Sequence, residues 1–307
     1  MRVALLALSL VLAAVALDAA LLTSRVDRLD VELRAGAGTT WVLIGLDSRA
    51  ELPAGADRSA FGTTRDVPGS RADVVLVVHV TDAGSTRVIS VPRDVVVDAG
   101  RLALTWLDGP QATLDGLCSL GIPSDHLVTI DLAGFAALVD AAGGLDVDVP
   151  SPVRDPAAGL ELRAAGPQHV DGPTALAMVR SRHPQELVNG DWVPARVDPD
   201  GRASAAGAVL GALTESVLDR PWRLQHVAWG ASGALSADRD TSPGDLAGLL
   251  TADLGQPAVL PVGDPVGGTW ARFPTPVTRT ALEAAGLSCA GAGRRQLTAT
   301  PIAEPTA

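Results

Sequence analysis

Lysine and tyrosine are absent from this 307-residue chain, so all 24 basic residues are arginines. A loop of the form GxxxxGK[ST] needs a lysine to reach the phosphates, so P-loop nucleotide chemistry is excluded. Aromatic residues make up only 3% of the sequence, which leaves no basis for the stacked platforms that hold single-stranded nucleic acid. Positive charge is scarce: the formal net charge is -11. Nonspecific binding to a polyanion such as DNA needs a positive face, and is excluded with it. The five histidines show no HExxH spacing, Ser48 lacks the glycines of a nucleophile elbow, and Gly36-Ala37-Gly38 is not a dinucleotide fingerprint. Zinc hydrolase, serine hydrolase and dinucleotide enzyme therefore drop out. Any anion site must be local and built from chosen arginines.

What the chain does have is apolar residues, 47% of the total, enough to bury a sizeable core. From residue 3 to residue 22 it is apolar apart from Ser9 and Asp18. About 20 such residues can cross a bilayer as a helix. Residues 1–24 read as a membrane anchor, with a cleaved signal peptide as the alternative because Ala14-Val15-Ala16 offers small residues at cleavage spacing. Both readings put the chain at the cell envelope. Residues 25–38 read as a polar spacer and the tail from 291 as a disordered Pro-rich segment, leaving 39–290 as one domain.

Strands follow the spacer. TTWVLIGL (39–46) is a short apolar run ending in Asp47-Ser48-Arg49, and a long loop rich in Gly, Pro and charge comes next. DVVLVVHV (73–80) and RVISVPRDV (87–95) flank TDAGST and read as an antiparallel hairpin. Pairing Val80 near Arg87 sets Asp73 opposite Asp94 and Val74 opposite Arg93, so Arg71, Asp73 and Arg93 share one sheet edge. Continuous apolar runs imply strands covered on both faces, as in α/β layer proteins. If the first strand is antiparallel to the second, Asp47 arrives at the same rim. Two carboxylates among arginines suit a hard cation plus a phosphate. The alternative is that Asp47 and Asp73 cap turns and pair with Arg49 or Arg71.

The chain then alternates. Residues 108–121 read as a helix capped by Asp108 and stopped by Gly121, DHLVTIDL as a strand, LAGFAALVDAAGG as a helix and LDVDVP as a strand. DGPTALAM reads as a short capped helix running into Val179-Arg180-Ser181-Arg182. If that last stretch is extended, Arg180 and Arg182 point to one face and can converge on one anion. Further on, SPGDLAGLL and TPVTRTALEAAG read as helices and AVLPV as a strand that closes the same domain.

The succession VLIGLDSR, SRADVVLVVHV, VISVPRD, TIDLAGFAALVDAAGGLDVDVP and GPQHVDGPTALAMVRSRH resembles the LytR-CpsA-Psr family of envelope phosphotransferases over roughly residues 40 to 225. The resemblance implies a three-layer α/β/α domain with a mixed sheet, held outside the cell membrane by one N-terminal transmembrane helix. It implies transfer of a glycopolymer from a polyprenyl-pyrophosphate carrier to peptidoglycan or a related wall acceptor, through a phosphodiester. Asp47 and Asp73 match carboxylates associated with Mg²⁺ (or Mn²⁺), and Arg71, Asp73 and Arg93 are the residues on which catalysis would rest. Arg71, Arg93, Arg180, Arg182 and Arg202 match arginines around the pyrophosphate, and Arg101 stands where the family has a lysine.

Two departures matter. Ala103 replaces an asparagine, and Ala205-Ala206 replace an arginine-glutamine pair, so the pyrophosphate shell is thinner than is usual in the family. Two alternatives to transfer therefore stay open: an envelope protein that binds the lipid pyrophosphate or glycan without turnover, and a lipid pyrophosphatase with water as acceptor. An outside location also permits a disulfide between Cys118 and Cys289, tying the C-terminal segment to the core, against two buried free thiols.

Overall fold

The fold comes from a computed structural model, which describes residues 2–53, 68–195, 201–219, 223–252 and 254–289. In chain order the elements are α1 (Arg2–Arg25), β1 (Asp27–Leu29), β2 (Thr39–Leu46), β3 (Ala72–Val80), β4 (Thr86–Ser90), β5 (Val96–Val97), β6 (Gly100–Arg101), α2 (Leu102–Thr105), α3 (Pro110–Leu120), β7 (His126–Ile130), α4 (Leu132–Ala142) and β8 (Leu145–Val149). There follow β9 (Val153–Asp155), β10 (Leu160–Leu162), β11 (Gly166–Val170), α5 (Gly172–Arg180), β12 (Gln185–Val188), β13 (Asp191–Pro194), α6 (Gly201–Asp219), α7 (Leu224–Ser232), β14 (Leu235–Asp238), α8 (Pro243–Thr251), β15 (Ala258–Val259) and α9 (Pro276–Ala284).

The centre is a seven-stranded mixed sheet in the order β1-β14-β7-β2-β3-β4-β15. Strands β2, β3 and β4 are antiparallel neighbours, β7 is parallel to β2, and β15 is parallel to β4. The β-branched runs are apolar on both faces because both faces are covered. Val42, Ile44, Val75, Val77 and Ile89 pack with Leu102, Leu114, Leu117 and Leu282 from α2, α3 and α9. Trp41, Val78, Val88 and Val128, on the other face, pack with Leu210 of α6 and Leu246 and Leu249 of α8. A further core joins α4, α5, α6 and α7 to β8, β10 and β11.

Several local expectations hold and several shift. β2 spans the expected residues, and α4 ends on Gly143 in the left-handed conformation. The 108–121 helix begins two residues late: Trp106–Asp108 form a 3-10 turn, Gly109 at φ 106° takes the cap position, and Asp108 does not cap α3. Gly121 does stop it. Residues 27–29, within the stretch read as spacer, are edge strand β1, paired with β14. The disulfide Cys118–Cys289 is present and ties α3 to the segment after α9. The loop residues 54–67 and the tail beyond 289 lie outside the described residues.

At the N-terminus, α1 does not stand apart from the domain. Asp18 accepts hydrogen bonds from Gln225 Nε2 (2.7 Å) and Trp229 Nε1 (3.1 Å), and Arg25 donates to Ser232 Oγ while lying over the Trp229 ring. Its last two turns are thus fixed to α7. Among the described residues no helix is long and apolar enough to cross a membrane.

Candidate active site

Strand direction assembles the site. β2 ends where β3 begins and where β4 leaves the sheet, so Asp47, Asp73 and Arg93 emerge at one edge. The hairpin register is one residue from the expected one: His79 pairs with Arg87 and Val80 with Thr86. Continued past Leu76↔Ser90, that register sets Asp73 opposite Arg93 rather than Asp94. Their side chains meet directly, Arg93 Nη1 on Asp73 Oδ1.

Each carboxylate at this edge is held by guanidinium groups. Asp73 Oδ2 also accepts from Arg182 Nη2 at 3.0 Å, which brings the VRSR segment onto the hairpin. Asp47 Oδ1 accepts from the Arg71 backbone N–H at 2.7 Å, and its Oδ2 lies 3.4 Å from Arg49 Nη1 and 3.9 Å from Arg71 Nη1. Asp94 bridges Arg93 Nε (3.4 Å) and Arg101 Nη1 (3.3 Å). Asp47 and Asp73 are 13% and 18% exposed, low enough to strengthen these pairs over surface ones yet open to a ligand.

The VRSR arginines converge by a different route from the extended one expected. Arg180 is the last residue of helix α5, and Ser181 at φ -58°, ψ 127° ends it. The turn that follows is fastened to Asp155 on β9, which is 1% exposed. Asp155 Oδ2 accepts from Ser181 Oγ, Arg182 N–H and His183 N–H, each at 2.8 Å. Burial alone would raise the pKa of this carboxyl, but the His183, Ser181 and Arg182 hydrogen bonds outweigh it and hold the group below its ordinary 3.8. Burial lowers the Arg180 guanidinium to about 10, helped by the like charges of Arg49 and Arg182 and opposed by Asp155 and Asp47. A half-buried cation among like charges is stabilised by an anion.

The base of α5 is set by close approach. A Cβ on Gly172 would lie 2.1 Å from the Ala136 carbonyl oxygen, so only glycine lets α5 rest on α4 there. Asp140 of the LVD motif accepts the Gly172 N–H at 2.7 Å, and Asp171 caps α5 through Thr174 N–H.

Of the residues singled out in the sequence, Asp47, Arg71, Asp73, Arg93, Arg101, Arg180 and Arg182 come together at this edge. Arg202 falls on α6, but its side chain lies outside the described residues. The structure adds Asp94, Asp155 and, as a member of the cluster, Arg49, none of which the sequence marks as a site residue. Asp94 adjoins Arg93 in VPRD and is legible as a bridge. Asp155 lies far upstream of the VRSR segment it fastens, in a stretch without a motif, and gives no local signal.

Comparison with known proteins gives the family. The profile of the LytR_cpsA_psr family matches residues 18–198, and the chain belongs to that family. It is 36% identical over 171 residues to the probable cell wall biosynthesis protein LcpB of Corynebacterium glutamicum, a stretch covering 52% of this chain and 41% of that protein. It is 29% identical over 215 residues to the polyisoprenyl-teichoic acid–peptidoglycan teichoic acid transferase TagU of Halalkalibacterium halodurans, covering 62% of this chain and 69% of that one. Among solved structures, the LytR-Csp2A-Psr enzyme from Actinomyces oris superimposes with TM-score 0.70 at 34% identity, covering 86% of this chain and 97% of that one. The chain thus spans less than half the length of LcpB and nearly all of the solved enzyme.

Proposed function

We propose that this chain is a phosphotransferase that moves a glycopolymer from a polyprenyl-pyrophosphate carrier to peptidoglycan or a related wall glycan. The observation that carries the reading is the Asp73 carboxylate held between Arg93 and Arg182 at the edge shared with Asp47 and Arg180. A phosphate entering there competes for guanidinium groups that are already oriented, and phosphoryl transfer asks the protein mainly for such positioning and charge neutralisation.

In the proposed step the acceptor hydroxyl oxygen attacks the sugar-bearing phosphorus, and the bond from that phosphorus to the bridging oxygen breaks. The lipid leaves as a polyprenyl monophosphate, and the hydroxyl proton passes to solvent. Arg93, Arg180 and Arg182 neutralise the charge that grows on the phosphate oxygens. Arg71 and Arg101 complete the cationic rim, Arg101 as the charge equivalent of the family's lysine. The donor set fits a hard divalent cation: it is all oxygen, and Mg²⁺ or Mn²⁺ needs only one or two carboxylates with phosphate oxygens and water. Asp47 and Asp73 would hold the ion, which would supply further neutralisation of the pyrophosphate.

The same reading places the chain in the cell membrane, with the domain outside. The apolar run of residues 3–22 and the Cys118–Cys289 bridge, at home in an oxidising compartment, support it. So do Leu17 and Leu21, which stay 62% and 46% exposed on the turns of α1 next to α7.

The absence of the arginine-glutamine pair at Ala205-Ala206 favours a second reading, a binder without turnover. One assay separates the readings. Incubation with a lipid-pyrophosphate glycan and a wall acceptor yields transfer product under the proposal, a free glycan phosphate beside polyprenyl monophosphate for a pyrophosphatase, and a bound, unchanged donor for a binder.

A further inference from the structure

We infer that Trp270 is a stacking platform for a sugar ring next to the pyrophosphate site, an inference that rests on the glycan-transfer reading. Trp270 is 74% exposed, the most exposed large apolar side chain among the described residues, in a chain with only nine Trp and Phe residues in all. An indole so exposed contributes nothing to the core, and its apolar face with a polar edge suits a ligand that is part apolar, part hydroxylated.

Its setting is ordered. Val266 N–H donates to the Ala271 carbonyl at 3.1 Å, and Thr269 Oγ1 closes the turn on the Val266 carbonyl at 2.6 Å. Gly267 and Gly268, at φ 60° and 70°, supply the left-handed turn. Val266, whose N–H makes the bond to Ala271, is itself 48% exposed, so this ordered turn carries two exposed apolar residues before any ligand arrives.

The hairpin is also fastened to the site. Arg272 N–H donates to the Asp94 carbonyl at 3.0 Å and Val96 N–H to the Arg272 carbonyl at 2.8 Å, a parallel pairing centred on Val95. In a parallel pairing Trp270 lies on the Arg93 side of that bridge. β15 is parallel to β4, so the chain after it leaves the sheet at the edge where Arg93 leaves.

Sheet order separates sugar from lipid. α1 enters at the β1 end, three strand spacings or roughly 14 Å from β2, while the Trp270 hairpin follows β15 at the opposite end. With α1 on the membrane side, the hairpin flanks the pyrophosphate on the side away from the lipid, where a pyranose ring of the donor polymer or of the acceptor glycan would lie.

The test uses the full chain, wild type and with Trp270→Ala or Trp270→Phe, titrated with three probes: geranyl pyrophosphate, the same pyrophosphate bearing a disaccharide, and a peptidoglycan tetrasaccharide. Trp270→Ala should leave geranyl pyrophosphate affinity unchanged and weaken one sugar probe roughly five- to tenfold, with Trp270→Phe recovering most of it. A loss on the disaccharide probe alone assigns the ring to the donor, and a loss on the tetrasaccharide assigns it to the acceptor. Equal affinities for all probes, an equal loss on all three, or a loss seen only as weaker binding to phosphatidylglycerol vesicles overturns the inference. An Arg93→Ala chain that binds geranyl pyrophosphate normally would instead sink the clamp reading, and leaves the tetrasaccharide arm to decide Trp270.

Discussion

Asp155 and Asp73 are both shielded aspartates that touch the VRSR segment, yet they are wired in opposite ways. Asp155 is satisfied by neutral donors of its own fold, two backbone N–H groups and a hydroxyl on one oxygen. Asp73 is satisfied by two guanidinium groups from different elements. Neutral backbone donors have nowhere else to go, so Asp155 fixes geometry. Guanidinium groups can pair with a phosphate as well, so under the proposed function the Asp73 contacts exchange on ligand binding. Asp238 repeats the first pattern far from the site, accepting from Leu127, Asp240 and Thr241 N–H groups and the Thr241 hydroxyl. Partner chemistry, together with deeper burial, separates the scaffold carboxylates from those of the site.

The largest expected effect breaks the exchangeable side. Arg93→Ala should cut turnover by about 10²–10³, as for loss of one preorganised charge-stabilising donor, while thermal stability stays close to wild type. A melt and a transfer assay on the same preparation check both halves. Asp73→Asn should cost turnover and also remove its dependence on added Mg²⁺ or Mn²⁺, read by titrating the metal back after chelation.

The scaffold side should fail differently. Asp155→Asn puts an amide where three donors converge, and should lower stability by about 2 kcal/mol, read as a lower denaturation midpoint. Turnover should fall with it because Arg182 loses its seat, yet Mg²⁺ dependence should persist in what remains. A loss of metal dependence in Asp155→Asn would erase the contrast with Asp73. The disulfide tests stability without the site: Cys118→Ala with Cys289→Ala opens a loop with a sequence separation of 171 residues. That should cost about 3–4 kcal/mol and leave the Km for donor unchanged in folded protein.

Much of the fold is legible in the sequence, because apolar runs and cap residues are local signals. β2, α4 and the helices after residue 242 follow them. The hairpin register is not, since the TDAGST connection admits neighbouring registers and one residue moves every partner. The end of α5 reads as extended for a related reason. Convergence of Arg180 and Arg182 requires only that the helix break between them, and the break is made by Asp155, which is remote in sequence and carries no motif. Arg49 reads only as a pairing partner, and Trp270 is invisible because its exposure and the hairpin's tie to Asp94 are tertiary facts.

Acid titration sharpens the contrast with the smallest effects. The pKa of Asp155 is depressed, so its contribution is present above 3.8, its ordinary value, and is lost as pH falls through the lower folded value. His79, 1% exposed, is lowered from 6.5 chiefly by burial, with Asp125 and Asp82 opposing. It is held neutral beside Thr40, and its burial begins to cost stability as pH drops below 6.5. Stability should therefore decline in two phases on acidification, and His79→Gln should remove the upper one.

Whether this edge is a pyrophosphate clamp is decided by calorimetric titration of geranyl pyrophosphate and geranyl monophosphate into wild type and Arg93→Ala at matched thermal stability. Wild type should prefer the pyrophosphate, and Arg93→Ala should lose at least about tenfold of that affinity, the worth of one charge-assisted contact. Equal affinity of the two proteins for the pyrophosphate would contradict it.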